Sequence, residues 1–393
     1  MNPGDRHIKA KCKGTRRWAL FATAALLAAS CTANDSDGGG GSADPKEPAA
    51  RASGEVDGCE DGWTDPSDLG EDRTPARCDS GAPAPDPLEE RKKIVVTSST
   101  LNAEYIAVLR YGVEKGEFDK ENLAVEFKAV PPADAYPLLG AGEIDATWSA
   151  PDAAFMNAVI SGFDLRWVIA NFSVPPESKT GLWVERSGDG TTPLADLKGS
   201  PIGTIVGKGS VIAYPINEAL KADGLSLADF DFQTLPAADI VAALENGGLR
   251  AAWVLDPLWV QLIDSEKVKF VQGQPPGEPL GGLIMGPNLL RDDPDAGVAF
   301  VRAYMRTQNT YFADNYKEGS ELLGEVASIL ELPEELLSAT PDPVWDWEIR
   351  EGTTDRLQEA YLAGKVLNAD EALDEDKLVD RSLYETAVGH SAD

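Results

Sequence analysis

The feature that most constrains this chain is a regular alternation of short β-branched runs with helical segments, which begins near residue 92. Strands are predicted at 92–97 and 123–130, and each is followed by a predicted helix, at 103–115 and 133–139. The same unit continues with a helix at 153–160 and with strands at 165–172 and 181–185. This alternation is typical of an α/β domain with largely parallel sheets, whose ligands bind beyond the carboxyl ends of the strands.

The pattern starts again at Leu194 with a strand at 202–206, a glycine-rich elbow and a helix from Val211. Pro215 is expected to kink that helix or to delay its start. The elements that follow are a strand at 230–235, a helix at 237–245, strands at 251–255 and 268–271, a return strand at 283–285, and helices at 298–312, 333–337, 355–363 and 370–384. Two similar α/β units and a helical tail predict two lobes with a ligand cleft between them.

The predicted domain organisation assigns residues 89–186 and 284–393 to the first lobe and residues 187–283 to the second. The chain is expected to cross between the lobes near Glu185 and near Leu283. About 300 residues are enough for two substantial cores. A ligand that contacts both lobes would shift an open–closed equilibrium of such a molecule.

The elbow Gly207-Lys208-Gly209-Ser210 is the first candidate ligand site. Its glycines let the backbone approach a ligand, the hydroxyl of Ser210 can donate, and the following helix N-terminus favours an acceptor or a negative group. The glycine spacing matches neither a Walker A loop nor a dinucleotide fingerprint. A single elbow of this kind is more often a tight turn, and Lys208 is as readily a solvated side chain as an anion ligand.

Two further elbows, at 98–100 and 148–152, follow predicted strands and should face the same cleft. Ser149 is a predicted N-cap with Asp152 at the third position, a capping-box arrangement. The hydroxyl residues at 98–100, and Asp256 before Pro257, could cap helices instead of binding a ligand. Trp148 could pack in the core instead of stacking on a ligand. The predicted ligand-binding residues are Ser98, Ser99, Thr100, Trp148, Ser149, Asp152, Asn171, Lys208, Gly209, Ser210 and Asp256.

The N-terminal segment predicts export. Residues 1–30 combine six basic residues with an apolar run of about a dozen residues, which suits a signal peptide. Leu27 to Cys31 resembles a bacterial lipobox, which predicts lipidation of Cys31. Residues 31–88 are rich in Gly, Ser, Asp and Pro and are interpreted as a flexible tether. In an exported chain Cys59 and Cys78 are expected to form a disulfide, with a metal site as the alternative.

Charge and composition exclude several functions. The net charge of the whole chain is −31. Without residues 1–30 the chain has 29 basic and 65 acidic residues, which gives a net charge of −36. This acidity argues against nucleic acid as a partner. The two histidines are His7 and His390, which is three residues from the C-terminus, so residues 89–389 contain neither histidine nor cysteine and lack the residues for Ser-His-Asp, Cys-His or typical zinc chemistry. No catalytic residue, cofactor or metal is indicated.

The order of these pieces resembles the substrate-binding proteins of ABC importers, in the nitrate, taurine and aliphatic-sulfonate class that includes pyrimidine-precursor binders. The resemblance covers about residues 92–320 and rests on the segments Gly142 to Ala146, Leu194 to Gly199 and Ala251 to Trp253. It implies a type II periplasmic-binding-protein-like fold and a monomer that closes on a small molecule and presents it to a permease and its ATPase. The enzymatic relatives use cysteine or histidine chemistry. The absence of both residue types from residues 89–389 therefore favours a binder.

The chemistry of the ligand stays open at this stage. Backbone elbows with Ser, Thr and Lys208 suit a sulfonate, taurine or nitrate-like oxyanion. Aromatic residues beside Asp152 and Asp256 suit a cationic or heteroaromatic compound such as a pyrimidine vitamin precursor. A tethered ligand sensor and a fold-related enzyme are alternatives from other classes. The predicted location is extracytoplasmic, on a lipid anchor at the bacterial cell membrane.

Overall fold

The computed structural model describes residues 67–70, 75–76, 78, 82–318 and 321–389. The predicted signal peptide, the lipidation site Cys31, Cys59 and His390 lie outside these residues. Cys78 is buried and does not carry a free thiol, but its pairing with Cys59 stays a prediction. Within the described ranges, no helix is long and apolar enough to cross a membrane.

The strands, in chain order, are β1 (Lys92–Ser98), β2 (Leu123–Ala129), β3 (Ala146–Ser149), β4 (Arg166–Ala170), β5 (Phe172–Ser173), β6 (Gly181–Ser187), β7 (Gly190–Thr191), β8 (Ile202–Thr204), β9 (Phe232–Thr234), β10 (Ala251–Val254), β11 (Val268–Gly273), β12 (Gly282–Met285) and β13 (Val344–Trp345). The α-helices are α1 (Ala107–Glu114), α2 (Pro132–Gly140), α3 (Ala153–Ile160), α4 (Ala213–Lys221), α5 (Ala237–Asn246), α6 (Pro294–Tyr311), α7 (Glu321–Leu330), α8 (Glu334–Leu337), α9 (Thr353–Ala363) and α10 (Ser382–Val388).

Two mixed sheets form the cores of two lobes. In the first sheet the order is β2-β1-β3-β12-β4, with β1 parallel to β2 and β3 and with β12 antiparallel to both of its neighbours. In the second sheet the order is β11-β6-β10-β8-β9, and β8 is parallel to β9 and β10. The parallel strands of each sheet bring the ends of β1, β3, β8 and β10 toward the space between the lobes.

The chain crosses between the sheets twice, before β6 and before β12. The crossing segments bond to each other through Asn171 N to Gly281 O and Leu280 N to Phe172 O. The predicted crossing near Glu185 is therefore wrong by one strand, because β6 belongs to the second sheet. The C-terminal region is also not confined to the first lobe, since α9 packs on α4 of the second.

Most predicted elements of the two α/β units are present, and the errors fall at their ends and in the tail. The helix expected from Val211 begins at Ala213, so that Pro215 lies in its first turn and does not kink it. Asp293 caps α6, with Pro294 in its first turn, so that this helix begins four residues earlier than the predicted 298. The helix predicted at 370–384 is wrong: that segment contains a short 3₁₀ turn, and α10 begins only at Ser382.

The hydrophobic core is continuous between the lobes on one side. One buried cluster contains Phe155 and Trp167 of the first lobe together with Ile216 and Trp253 of the second. Tyr361 of α9 belongs to the same cluster. The two lobes are therefore in direct apolar contact in this structure.

The last part of the predicted tether is not a tether. Residues 82–88 pack against α6, where Arg302 donates to the carbonyl oxygen of Asp86 at 3.0 Å and Arg306 donates to that of Pro83 at 3.4 Å. Ala76 is also buried, and its N–H donates to Asp346. The prediction of a flexible segment extending to residue 88 is corrected accordingly.

Candidate functional site

Two of the predicted elbows meet where the lobes touch. The backbone N–H of Ala153, at the start of α3 in the first lobe, donates to the carbonyl oxygen of Gly209 in the second lobe at 2.8 Å. Gly209 permits this contact because a Cβ at that position would lie 3.3 Å from the Cβ of Ala153. The elbow therefore packs on the N-terminus of α3.

Asp152 lies beside this contact and is the N-cap of α3. Its carboxylate accepts from the N–H of Phe155 at 2.8 Å and from the hydroxyl of Tyr136 at 3.1 Å. The predicted capping box is wrong, because the Ser149 hydroxyl bonds to Tyr136 at 3.1 Å and does not cap the helix. A single carboxylate thus serves both as a helix cap and as the charged group of the site.

Three tyrosines surround Asp152. Burial raises the pKa of Tyr105, Tyr136 and Tyr361, and the negative charge of Asp152 raises each of them further. These residues come from three distant parts of the sequence: the segment after β1, helix α2 and the C-terminal helix α9. All three are therefore neutral at physiological pH, and Asp152 is the group among them that ionises there.

The carboxyl group of Asp152 is poorly solvated. Burial raises its pKa to about 6, although the hydrogen bonds from Phe155 and Tyr136 act in the opposite direction. Desolvation disfavours the charged form of an acid, so the carboxylate would be stabilised by a cation placed beside it. The arrangement of one carboxylate among aromatic rings is suited to a positively charged or proton-bearing group of a ligand.

Two further carboxylates, Asp256 and Glu104, each have several hydrogen-bond partners. Asp256 accepts from Thr180 at 2.6 Å, from Ser178 at 3.2 Å and from the indole N–H of Trp259. In the first lobe, Glu104 accepts from Lys317 at 2.7 Å. Burial raises the pKa of Glu104, Lys317 lowers it, and Asp256 raises it again.

Asp256 is not the N-cap that the sequence predicts. The following 3₁₀ helix (Leu258–Leu262) has Pro257 at its N-cap, and the peptide bond before that proline is cis. The carboxylate instead binds the indole of Trp259 and the hydroxyls of the first crossing segment. It therefore joins the end of β10 to the crossing.

Several predicted ligand residues have structural partners instead. The indole of Trp148 is buried, donates to Tyr105 O at 2.8 Å and packs on the ring of Tyr304. Lys208 Nζ donates to Phe230 O at 3.4 Å and lies over the ring of Phe232, and burial lowers its pKa. Lys208 thus belongs to the surface packing of the second lobe.

The remaining predicted residues lie along the strand ends. Ser98 is buried, whereas Ser99 and Thr100 are exposed. Ser210 donates to Gly207 O at 3.0 Å and closes its own turn. Asn171 is buried at the first crossing, where its side-chain oxygen accepts from the N–H of Phe172 at 2.6 Å. The structure therefore brings Ser149, Asp152 and Gly209 together.

The three tyrosines and Glu104 were not predicted from the sequence. Tyr105 could have been proposed from the sequence, because it follows the predicted elbow at 98–100 by five residues. Tyr136 lies in a predicted helix with no mark of its own. Tyr361 lies more than 200 residues beyond Asp152, and only the packing of α9 brings it to the site.

The fold is the periplasmic-binding-protein fold of type II, as the sequence predicted. It is defined by two α/β lobes, two crossings between them and a polar site where strand ends of both lobes meet. A family model described as NMT1/THI5 like matches residues 103–314, which is more than half of the chain. The protein belongs to the NMT1/THI5-like family.

Solved structures share this fold at low sequence identity. The alkanesulfonate-binding protein SsuA from Xanthomonas axonopodis pv. citri, bound to MOPS, is 18% identical over 74% of this chain and 99% of its own, with a TM-score of 0.53. The nitrate-binding protein NrtA from Synechocystis PCC 6803 is 17% identical over 77% and 89%, with a TM-score of 0.50.

A eukaryotic protein has the fold as well. The Candida albicans CA3427 gene product, described as having the generic periplasmic binding protein fold, is 17% identical over 75% of this chain and 97% of its own, with a TM-score of 0.50. No curated protein sequence matches the chain. At these identities the likeness concerns the fold, and the ligand has to be argued from the residues of this chain.

Proposed function

We propose that this protein is the extracytoplasmic substrate-binding component of an ABC importer, which captures a small molecule between its lobes and delivers it to a permease and its ATPase. Family membership and the shared fold support this proposal. The basic and apolar N-terminal segment followed by Cys31 supports export and a lipid anchor. A monomer that is stabilised by a disulfide between Cys59 and Cys78 is part of the same proposal.

The ligand we propose is an organic cation or a heteroaromatic base that carries a proton. The observation that supports it is the desolvated carboxylate of Asp152 among Tyr105, Tyr136 and Tyr361. An oxyanion, which the sequence placed first, would have to bind beside this carboxylate. Lys208, its expected counter-charge, is engaged with Phe230 and Phe232 in the second lobe.

The sign of the pH dependence of binding tests this choice. Isothermal titration calorimetry of the exported chain with choline, an aminopyrimidine, taurine, methanesulfonate and nitrate, from pH 5 to 8, separates the two classes. A permanent cation such as choline needs Asp152 ionised, so its affinity should rise about fivefold between pH 5 and 6 and about tenfold between pH 5 and 8, levelling off above about pH 7. An oxyanion should show the opposite trend.

Asp152→Asn is the matched variant, because Asn keeps the helix cap and removes the charge. It should bind a cation at least tenfold more weakly at pH 7.5 and lose the pH dependence near 6. Tight binding of methanesulfonate or nitrate that weakens as pH rises would contradict the cation proposal. Recovery of the bound compound unchanged after incubation would support a binder, and its conversion would support a fold-related enzyme.

A further inference from the structure

Helix α9 contacts the second lobe although the chain on both sides of it belongs to the first. Before α9, the carbonyl oxygen of Trp347 accepts from the N–H of Ala170 in β4 at 2.8 Å. After α9, the carbonyl oxygen of Leu378 accepts from Trp167 N at 2.8 Å, and α10 packs on α6. The chain therefore leaves the first lobe at α9 and returns to it.

The contact of α9 with the second lobe is a packed interface with α4. Leu357, Ala360 and Tyr361 are buried on its inner face. At its exposed edge, Glu359 forms an ion pair with Lys221 of α4 at 2.6 Å. Because an exposed pair of this kind contributes little, the apolar face has to supply most of the attachment.

The far end of α9 reaches back to the ligand site in the first lobe. The hydroxyl of Tyr361 donates to the carbonyl oxygen of Pro151 at 3.2 Å, directly before Asp152. The side chain of Asn157 in α3 donates to Val366 O at 3.0 Å and accepts from Asn368 N at 2.7 Å. Helix α9 thus contacts α4 and the turn before α3, and the segment that follows it bonds to α3.

The base of α9 is also fixed to the second crossing segment. Glu278 in that segment forms an ion pair with Arg356 at 2.6 Å and accepts from the hydroxyl of Thr353 at 3.3 Å. Glu278 and Thr353 are both buried. Helix α9 therefore contacts the hinge, the first lobe and the second lobe along a single element.

We infer that α9 is a third, non-covalent connection between the lobes, and that Tyr361 is a positioning residue that holds Pro151 and Asp152 in place for the ligand. The ligand role of Asp152 rests on the proposed function. The connection itself rests on the contacts of α9. Loss of the Tyr361 hydroxyl leaves the Pro151 carbonyl without this donor and loosens the turn that carries Asp152.

The test uses Tyr361→Phe in the exported chain without any ligand, since this change removes one oxygen atom and preserves the packing volume. Hydrogen exchange of the amides at 154–156 should accelerate about tenfold relative to the unchanged chain. In ¹³C NMR of the aspartate carboxyl groups, the titration midpoint of Asp152 should move from about 6 toward the ordinary value, because water reaches the group.

Glu359→Gln is the control on the same helix, because it breaks the ion pair with α4 and leaves the hydroxyl of Tyr361 intact. It should change neither the exchange at 154–156 nor the Asp152 midpoint. Unchanged exchange and midpoint in Tyr361→Phe, or equal changes in both variants, would overturn the inference. Neither readout involves a ligand, so this result and the outcome of the ligand titrations are independent.

Discussion

Asp152 has a charge that the folded protein does not stabilise well by itself. Its hydrogen bonds to the helix N-terminus and to Tyr136 lower its pKa, yet burial prevails and raises the value to about 6. The native state therefore binds a proton more tightly than the unfolded chain, whose aspartate has a pKa of about 4. Stability must fall as pH rises from about 4 to 6 and remain lower above that window.

Asp152→Asn should therefore stabilise the ligand-free protein at pH 7.5, by on the order of 1–2 kcal/mol, since Asn keeps the cap without the buried charge. The difference should vanish at about pH 2.5, where Asp152 is protonated in both the folded and the unfolded state. Urea unfolding of both chains at the two pH values measures this. A variant that is less stable at pH 7.5 would show that the cap, and not the charge, dominates at this residue.

At the scale of residues, the sequence predicted the positions of the elbows better than the partners of their side chains. Asp152 and Gly209 were predicted because strand ends and helix starts leave a local signature. For Lys208 and Trp148 the sequence left both a ligand contact and packing open, because the direction of a side chain depends on packing with Phe232 and Tyr304.

At the scale of elements, the periodic strands and helices of both α/β units follow from local patterns, and the non-periodic segments do not. Residues 82–88 have the composition of a linker, yet they are fixed by two arginines on the distant helix α6. Residues 370–384 were predicted as a helix although the segment forms turns before α10. In both cases long-range contacts outweigh local composition, and a single sequence does not display them.

The segment 82–88, which we name the strap, covers buried charges. Glu121 is fully buried, pairs with Arg302 at 3.0 Å and with Arg306 at 2.6 Å, and also accepts from the N–H of Asp86 in the strap at 3.2 Å. Buried charges need all of their partners. The strap is therefore part of the first lobe.

A chain that begins at Glu89 should lose stability, because Arg302 and Arg306 lose the carbonyl oxygens of the strap. Hydrogen bonds to charged groups contribute about 1.5–3 kcal/mol each, so the loss should be at least about 2 kcal/mol. The control chain begins at Asp57. It therefore keeps the strap and also Cys59 and Cys78. Thermal unfolding of the two chains measures the difference, and equal midpoints would show that the strap is dispensable.

At the scale of the whole molecule, the lobes are held closed by more than the two crossings. A continuous core, the backbone bond between Ala153 and Gly209, and α9 all join them. A ligand can shift such an equilibrium only by its differential affinity for the closed form. Because these contacts add to the two crossings, we expect opening of the lobes to be the costly step.

Gly209→Val should act as a wedge between the lobes. A Cβ at this position lies 3.3 Å from the Cβ of Ala153, so the larger side chain must push the elbow away from α3, and the backbone there has no positive φ that would forbid a side chain. Small-angle scattering should show a larger radius of gyration. If the closed fraction falls to about a tenth, the apparent affinity falls about tenfold. Gly190→Val, where the nearest atom is 3.9 Å away, should change neither quantity. An unchanged radius in Gly209→Val would mean that the core and α9 alone determine the closed form, and that the elbow only follows it.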